Sequence, residues 1–374
     1  MKKFKIITVV GTRPEIIRLS RVIEKFDMQF NHILVHTNQN YNYELNQIFF
    51  DELKIRKPNY IFQKNGSTTF KFLANALIEI EKIILKEKPD AYLVLGDTNS
   101  SLTAIVAKKF KIPLFHIESG NRCFDQNVPE EVNRKILDHI SDINIVYSSF
   151  ARRNLIKEGI DNQKIYKLGS PLYEVLNYYK KNINHIKILN RYKVKKKNYF
   201  LVSFHRNENI VNEKNFKNFY SILNLISKKF NKPILVSSHP ATEIAVLKII
   251  KKNNLKKNIT FLKPFSFKEY IALQMNAKLI ISDSGSITEE SSILQLKSIS
   301  LRDTFERQEA LETSSIIMSS LAIDNFEKVL EYCLSENDMT LKTHKSYNNP
   351  NFSKNMSDLL ISKISYINKY NYYK

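Results

Sequence analysis

"KIITVVGTRPEIIR", Lys5 to Arg18, decides the fold. Its apolar, β-branched opening has the composition of a buried strand. Gly11 breaks the run, Arg13 stands at a loop tip, and Pro14 starts a helix whose first turn loses nothing to the missing N–H. Arg18 follows about one turn later. A helix N-terminus with an arginine suits an anion, and a capped helix carrying a surface arginine is an equally good reading of this loop alone. The loop has no G-x-G-x-x-G, which removes the main support for nicotinamide or flavin binding.

The same strand-to-helix unit recurs along the chain. "HILVHT", "AYLVLG", "PLFHIES" and "INIVYS" read as further strands in the first half, with amphipathic stretches such as "TFKFLANALIEIEKIILKEK" between them. That alternation predicts α/β architecture, a parallel sheet covered on both faces. It restarts after residue 199 with "YFLVSF", "PILVSS", "ITFLKP", "KLIISDS" and "SISLRD". Two doubly wound Rossmann-like domains with an interdomain cleft are expected, the first over 1–176 and the second over 199–350, joined by a charged crossing segment, 177–198, of weak periodicity.

Composition narrows the class. The 374 residues are 43% hydrophobic and 25% charged, and no apolar run approaches the roughly 20 residues that span a bilayer, so a soluble protein without a membrane partner is expected. The apolar run Ile6 to Val10 is too short for the core of a signal peptide. Two cysteines, Cys123 and Cys333, imply no disulfide framework and fit the cytoplasm, with Cys123 read as a packing residue. The net charge of +21 invites a nucleic-acid reading, but the lysines are scattered pairs and the dense "KVKKKN" falls in the crossing segment. A solvated basic surface is favoured, with no nucleic-acid partner.

Only seven glycines occur, and five of them, Gly11, Gly96, Gly120, Gly169 and Gly285, follow expected strands. Ligands bind outside the carboxyl ends of strands in open parallel sheets, so these turns are candidate ligand loops; strand-to-helix turns also need glycine on structural grounds.

Acidic residues gather at the same places. Asp97 in "LVLGDTNSS" and Glu118 in "FHIESG" end neighbouring strands, which would bring two carboxylates to one rim. Asp97 also reads as a helix N-cap. "GNRCFDQNVPEEVNR", Gly120 to Arg134, packs Arg122, Asp125, Glu130, Glu131 and Arg134 into one loop and helix start; the two glutamates behind Pro129 are dipole partners or part of a site. In the second half His205 and Arg206 end one strand and His239 another. A rim imidazole can bind phosphate or move protons, although a lone histidine is more often structural. "ISDSGSITEESS" then runs a strand through a Ser284-Gly285-Ser286 turn into a helix with Glu289 and Glu290, an arrangement suited to diphosphate and ribose. No metal is expected: there is no C-x-x-C, and His32 and His36 lie four apart on a strand, roughly 13 Å, too far to share an ion.

In this order, "VVGTRPEIIR", "LGDTNS", "HIESGNR", "PEEVNRKILDHISD", "FHRNEN", "SDSGSITEESS" and "LRDTFERQEA" resemble the non-hydrolysing UDP-N-acetylglucosamine 2-epimerase family over almost the whole chain. "VHTNQNYNYELNQIFF", "GNRCFDQNVPEEVNRKILDHISDINIVYS" and "GSPLYEVL" resemble its branch that makes UDP-N-acetyl-L-fucosamine from UDP-2-acetamido-2,6-dideoxy-L-talose. The resemblance implies a GT-B fold with a UDP-binding second domain and a C-terminal helix, about 351–374, packing back on the first. It further implies epimerisation at C2 through elimination and re-addition of UDP, with no cofactor and a UDP-activated N-acetyl amino sugar as partner, in a homodimer. By motif, Asp97, Glu118 and Glu130 become acid and base candidates, with His205 near the diphosphate. Arg13, Ser284, Gly285 and Ser286 take the phosphates, Glu290 the ribose, and Arg18 and Arg307 the sugar or diphosphate region. Four positions depart from the family pattern: Asn38 in "TNQN" stands for glycine, Arg18 for lysine, Gln308 in "ERQEA" for proline, and Ser119 in "ESG" for alanine. A GT-B glycosyltransferase is the rival enzyme class.

Overall fold

The structure, a computed structural model, describes residues 3–39, 47–63, 68–184, 187–204, 206–238, 256–335 and 341–374. The chain divides into two compact units, Met1–Tyr178 with Lys345–Lys374, and Tyr179–His344.

In the first unit β1 (Lys5–Val10), β2 (Asn31–His36), β3 (Tyr60–Ile61), β4 (Ala91–Leu95), β5 (Leu114–Ile117), β6 (Ile143–Val146) and β7 (Ile165–Lys167) form one parallel sheet in the order β3-β2-β1-β4-β5-β6-β7. In the second, β8 (Phe200–Phe204), β9 (Ile234–Ser238), β10 (Ile259–Leu262), β11 (Leu279–Ser282), β12 (Ser298–Ser300) and β13 (Ile316–Met318) are parallel in the order β10-β9-β8-β11-β12-β13. Both orders reverse direction next to their first strand, the doubly wound arrangement. The switch point therefore lies between β1 and β4 in one unit and between β8 and β11 in the other. The expected α/β class with two parallel-sheet domains is what the chain adopts. The stretches quoted from the sequence leave out β3, β7 and β13, although Gly169 marks the end of β7; each is two or three residues long at a sheet edge, too short to show a period.

The strands are buried on both faces, as apolar runs without alternation require: Ile6, Ile7, Val9 and Val10 of β1 are all inaccessible or nearly so. Helix Arg13–Gln29 covers one face with a stripe of Ile16, Leu19, Val22, Ile23 and Phe26, spaced three and four apart. Each such side chain contributes roughly 1.5–3 kcal/mol on leaving water. Helix Thr69–Glu87 starts where the Thr68 hydroxyl accepts the Lys71 amide at 3.3 Å, and it buries Ala76, Ile80, Ile83 and Ile84. The second unit packs Phe200, Val202 and Phe204 against helix Glu213–Phe230, with the Phe204 and Phe219 rings stacked at 3.9 Å.

Helix Pro171–Asn184 runs through residue 177, so the charged segment begins inside a helix, and the division between units falls within that helix. The C-terminal helix Phe352–Asn371 belongs to the first unit, where the Ser353 amide and hydroxyl donate to Glu174 at 2.7 and 2.6 Å. No helix among the described residues is long and apolar enough to cross a membrane.

Candidate functional site

At the switch point of the first unit the β1 and β4 loops are locked together by Glu15, the fourth residue of a T-x-x-E capping sequence. Its Oε2 accepts the Gly11 and Thr12 amides, both at 2.7 Å, and its Oε1 accepts the Thr98 hydroxyl at 2.5 Å. Burial raises the pKa of this carboxyl, although the hydroxyl and amide donors pull the other way. Gly11 leaves no room for a side chain: a Cβ there would stand 2.0 Å from Ser100 Oγ and 2.2 Å from Thr37 Oγ1. Those two hydroxyls are themselves 2.6 Å apart, and Gln39 Oε1 accepts the Ser100 amide and hydroxyl at 3.0 and 2.8 Å.

Asp97 and Glu118 sit at the carboxyl ends of adjacent strands. Leu95 pairs with Ile117 in register, and the Gly96 amide donates to the Ile117 carbonyl at 2.9 Å. Asp97 does not act as the helix cap that its position suggested; its Oδ2 accepts Arg134 Nε at 2.7 Å. Arg134 also donates through Nη1 to Glu131 Oε2 at 2.8 Å, and Glu131 in turn accepts the Cys123 and Phe124 amides, both at 3.2 Å. Burial alone would raise the Glu131 carboxyl, but the Cys123 amide and Arg134 outweigh it and hold the pKa below its ordinary value. The charged stretch from Gly120 to Arg134 is thus a loop folded onto its own helix, Pro129–Ile140, with Arg134 reaching across to Asp97. Glu130 in the first turn of that helix is exposed, and its neighbour Glu131 is the buried one. The Cys123 thiol is half-buried, and burial raises its pKa, which suits packing and not attack.

Glu118 has φ +73°, a left-handed backbone conformation that non-glycine residues adopt at some cost. Two amides hold it there, Glu118 N and Ser119 N, both donating to the Ile145 carbonyl at 3.0 and 3.2 Å. Its Oε2 accepts the Tyr147 hydroxyl at 3.0 Å and lies 3.7 Å from Arg18 Nε. Arg18 is buried on helix Arg13–Gln29, while Arg13, at the head of that helix, is half-exposed over the Phe49 ring at 6.0 Å.

Beneath this rim runs an interior ionic chain. His116 Nε2 faces the Gly96 carbonyl at 2.9 Å and its Nδ1 lies 3.0 Å from Asp138 Oδ1. Asp138 Oδ2 also accepts the Gly120 amide at 3.1 Å and meets Arg122 Nη1 at 2.8 Å, and Arg122 grips Glu158 with two further bonds of 2.8 and 2.6 Å. Burial would raise the Asp138 carboxyl; His116 and Arg122 prevail and lower its pKa.

In the second unit the Ser284-Gly285-Ser286 turn leads from β11 into helix Ile287–Leu294. The Ser284 and Ser286 hydroxyls are 3.1 Å apart, and the Ser284 amide donates to Ser282 Oγ at 3.0 Å. Arg307 is buried behind the turn, with Nη1 on the Gly285 carbonyl at 2.7 Å and Nη2 3.3 Å from Glu289 Oε2. A Cβ on Gly285 would lie 2.6 Å from Glu306 Oε1, which is itself held by Arg302 at 2.9 Å. Glu290, also buried, accepts Gln274 Nε2 at 2.6 Å. His205 and His239 lie outside the described residues. Each unit therefore gathers part of the predicted set at the carboxyl ends of its own strands: Arg13, Arg18, Asp97 and Glu118 in the first, and Ser284, Gly285, Ser286, Glu290 and Arg307 in the second.

The family model described as UDP-N-acetylglucosamine 2-epimerase matches residues 24–361. The chain belongs to that family. Among similar proteins, the UDP-N-acetylglucosamine 2-epimerase of Methanocaldococcus jannaschii is 36% identical over 98% of this chain and 100% of its own length. A solved structure of UDP-N-acetylglucosamine 2-epimerase from Rickettsia bellii superposes with a TM-score of 0.93 at 43% identity, covering 100% of both chains. The M. jannaschii enzyme in complex with UDP-GlcNAc and UDP gives 0.89 at 34% identity over 96% of this chain and 99% of that one. A glycosyltransferase from Rickettsia africae, 14% identical at a TM-score of 0.57 over 99% of each chain, shares the fold alone. The protein is accordingly a non-hydrolysing UDP-sugar 2-epimerase, an isomerase of GT-B type. The glycosyltransferase alternative does not stand against a family match spanning residues 24–361.

Proposed function

We propose that the enzyme converts UDP-2-acetamido-2,6-dideoxy-L-talose to UDP-N-acetyl-L-fucosamine, supplying an amino sugar for surface polysaccharide. The observation that carries the chemistry is the pair Asp97 and Glu118 at the ends of β4 and β5, beside the switch point of one sheet. The C2 proton of such a sugar is too weakly acidic for simple removal, so departure of the nucleotide accompanies it. A carboxylate takes the proton from C2, a C1–C2 double bond forms, and the C1–O bond breaks with its electron pair leaving on UDP. A proton delivered to the opposite face of C2, with UDP returning to C1, completes the epimerisation. Asp97, Glu118 and Glu130 serve as the acid and base groups, with His205 near the diphosphate. Arg13 and the Ser284-Gly285-Ser286 turn hold phosphate oxygens through backbone amides, hydroxyls and charge. Glu290 takes the ribose hydroxyls, and Arg18 and Arg307 serve the sugar or diphosphate region. Arg307 has an additional part in shaping the turn, since it bonds the Gly285 carbonyl.

The choice of sugar rests on the likeness of the stretches 35–50, 120–148 and 169–176 to the L-fucosamine branch. A second reading, interconversion of UDP-N-acetylglucosamine and UDP-N-acetylmannosamine, is favoured by the names of the M. jannaschii and R. bellii relatives. A cytoplasmic homodimer belongs to the same proposal, on the resemblance and on two cysteines separated by most of the chain.

Incubation with each UDP-sugar separately in heavy water, with no acceptor, distinguishes the readings. Interconversion with deuterium entering C2 of the L-talo substrate is expected. Exchange only with UDP-N-acetylglucosamine transfers the assignment to the second reading, and exchange with neither overturns both.

A further inference from the structure

The geometry points to Tyr147 as a positioning residue for Glu118, a role that rests on the epimerase chemistry proposed above. Tyr147 is wholly buried two residues beyond Ile145, whose carbonyl holds the Glu118 and Ser119 amides. β5 and β6 are paired in parallel with Ile117 opposite Ile145, so the end of β6 delivers both the carbonyl that fixes the Glu118 backbone and the phenol that meets its carboxylate. A buried phenol needs an acceptor, and here the acceptor is a proton-transfer group held in a strained backbone conformation. A phenylalanine would fill the same interior space without that requirement, so the hydroxyl is not demanded by packing. Arg18, 3.7 Å from the same oxygen, approaches from helix Arg13–Gln29. The carboxylate is therefore aimed by groups from two elements, helix Arg13–Gln29 and the end of β6, and the phenol supplies the directional contact, because a hydrogen bond constrains angle more tightly than an ion pair at that distance.

Tyr147 does not touch the sugar in this assignment, and it neither gives nor takes the C2 proton. It fixes the rotamer from which Glu118 works, which matters because misplacement of a reacting group by about 1 Å costs on the order of a hundredfold in rate.

The test compares wild type with Tyr147→Phe, using UDP-2-acetamido-2,6-dideoxy-L-talose and UDP-N-acetylglucosamine in heavy water and following epimer formation, deuterium at C2, and free UDP with the unsaturated sugar. The expected result for Y147F is a fall in kcat of roughly tenfold to a hundredfold, the scale of a lost hydrogen bond to a charged group. KM and UDP affinity should be unchanged, and more unsaturated sugar should escape per turnover because re-protonation is slowed. Glu118→Asp supplies the second arm. If Tyr147 acts through Glu118, the shortened carboxylate no longer reaches the phenol, and Y147F in the E118D background should change kcat by less than twofold. An unchanged kcat in Y147F, or an equal loss in both backgrounds, overturns the role. A Y147F protein that loses UDP binding or melts far below wild type shows a structural function and overturns it as well. Wild type inactive on both sugars refutes the two substrate readings proposed above, a result separate from any of these.

Discussion

Arg134 Nε lies 2.7 Å from Asp97 Oδ2, and through Nη1 the same guanidinium holds Glu131 at 2.8 Å. One arginine thus ties Asp97, just beyond β4, to the helix that follows β5. Arg134→Met removes the charge, keeps the length, and leaves the buried Glu131 with the Cys123 and Phe124 amides and the Cys123 thiol. A loss of about 3 kcal/mol in urea unfolding is expected, the scale for breaking a buried ion pair. C2 exchange should fall by at least tenfold. Arg134→Lys should recover part of the stability but not the activity, because a single ammonium cannot reproduce the fork. Full activity in R134M would detach Arg134 from the placement of Asp97.

Glu118→Gln keeps shape and removes proton-accepting capacity. Deuterium incorporation at C2 should drop by 10³-fold or more, on the order expected for a lost general base or acid. UDP affinity by calorimetry should hold, since the nucleotide is assigned to the turn at Gly285. Near-normal exchange in this variant would remove Glu118 from proton transfer.

Gly11→Ala forces a methyl against Ser100 and Thr37 at 2.0 and 2.2 Å, inside a loop junction that has no slack. The hydroxyl contact between those residues has to open, and a loss of roughly 1–3 kcal/mol follows from overpacking. Thermal melting measures it. A wild-type melting temperature would show that the junction yields more easily than its packing implies.

His36 gives the chain a pH signature. Burial pushes its pKa down to about 4, below the value near 6.5 expected when unfolded. The unfolded chain therefore takes up the proton first on acidification. Stability is complete above pH 6.5, declines as pH falls toward 4, and levels off below that, with up to about 3 kcal/mol at stake. His36→Asn, which keeps an acceptor for the Asn38 amide now on His36 Nδ1 at 3.0 Å, should flatten this slope in denaturant titrations between those pH values. An unchanged slope would assign the acid sensitivity elsewhere.

The two sheets were legible because most of their strands are unbroken apolar runs, and a run buried on both faces carries its own length. The placement of Asp97 and Glu118 followed from strand ends alone. What the sequence hid were partnerships. Arg134 and Glu131 lie three apart on one helix, and nothing linear says that the arginine reaches a residue 37 positions earlier. Tyr147 is one more aromatic after a strand until the Glu118 carboxylate is placed beside it. Asp97 read as a cap because its local pattern is that of a cap, and a tertiary ion pair took precedence. Glu15 stands at a capping-box spacing that sequence reading passed over, and nothing local marks it as the bolt between two loops, because its second oxygen meets Thr98 from the other side of the switch point.

His116 reaches the carbonyl of Gly96 and the carboxylate that receives the Gly120 amide. The turn ahead of Asp97 and the turn behind Glu118 are therefore rivetted to a common frame from below, out of reach of any bound molecule. Drift toward a new sugar has to be written in the side chains that overlie this frame, since shifting one carboxylate by reshaping its loop would drag the other with it.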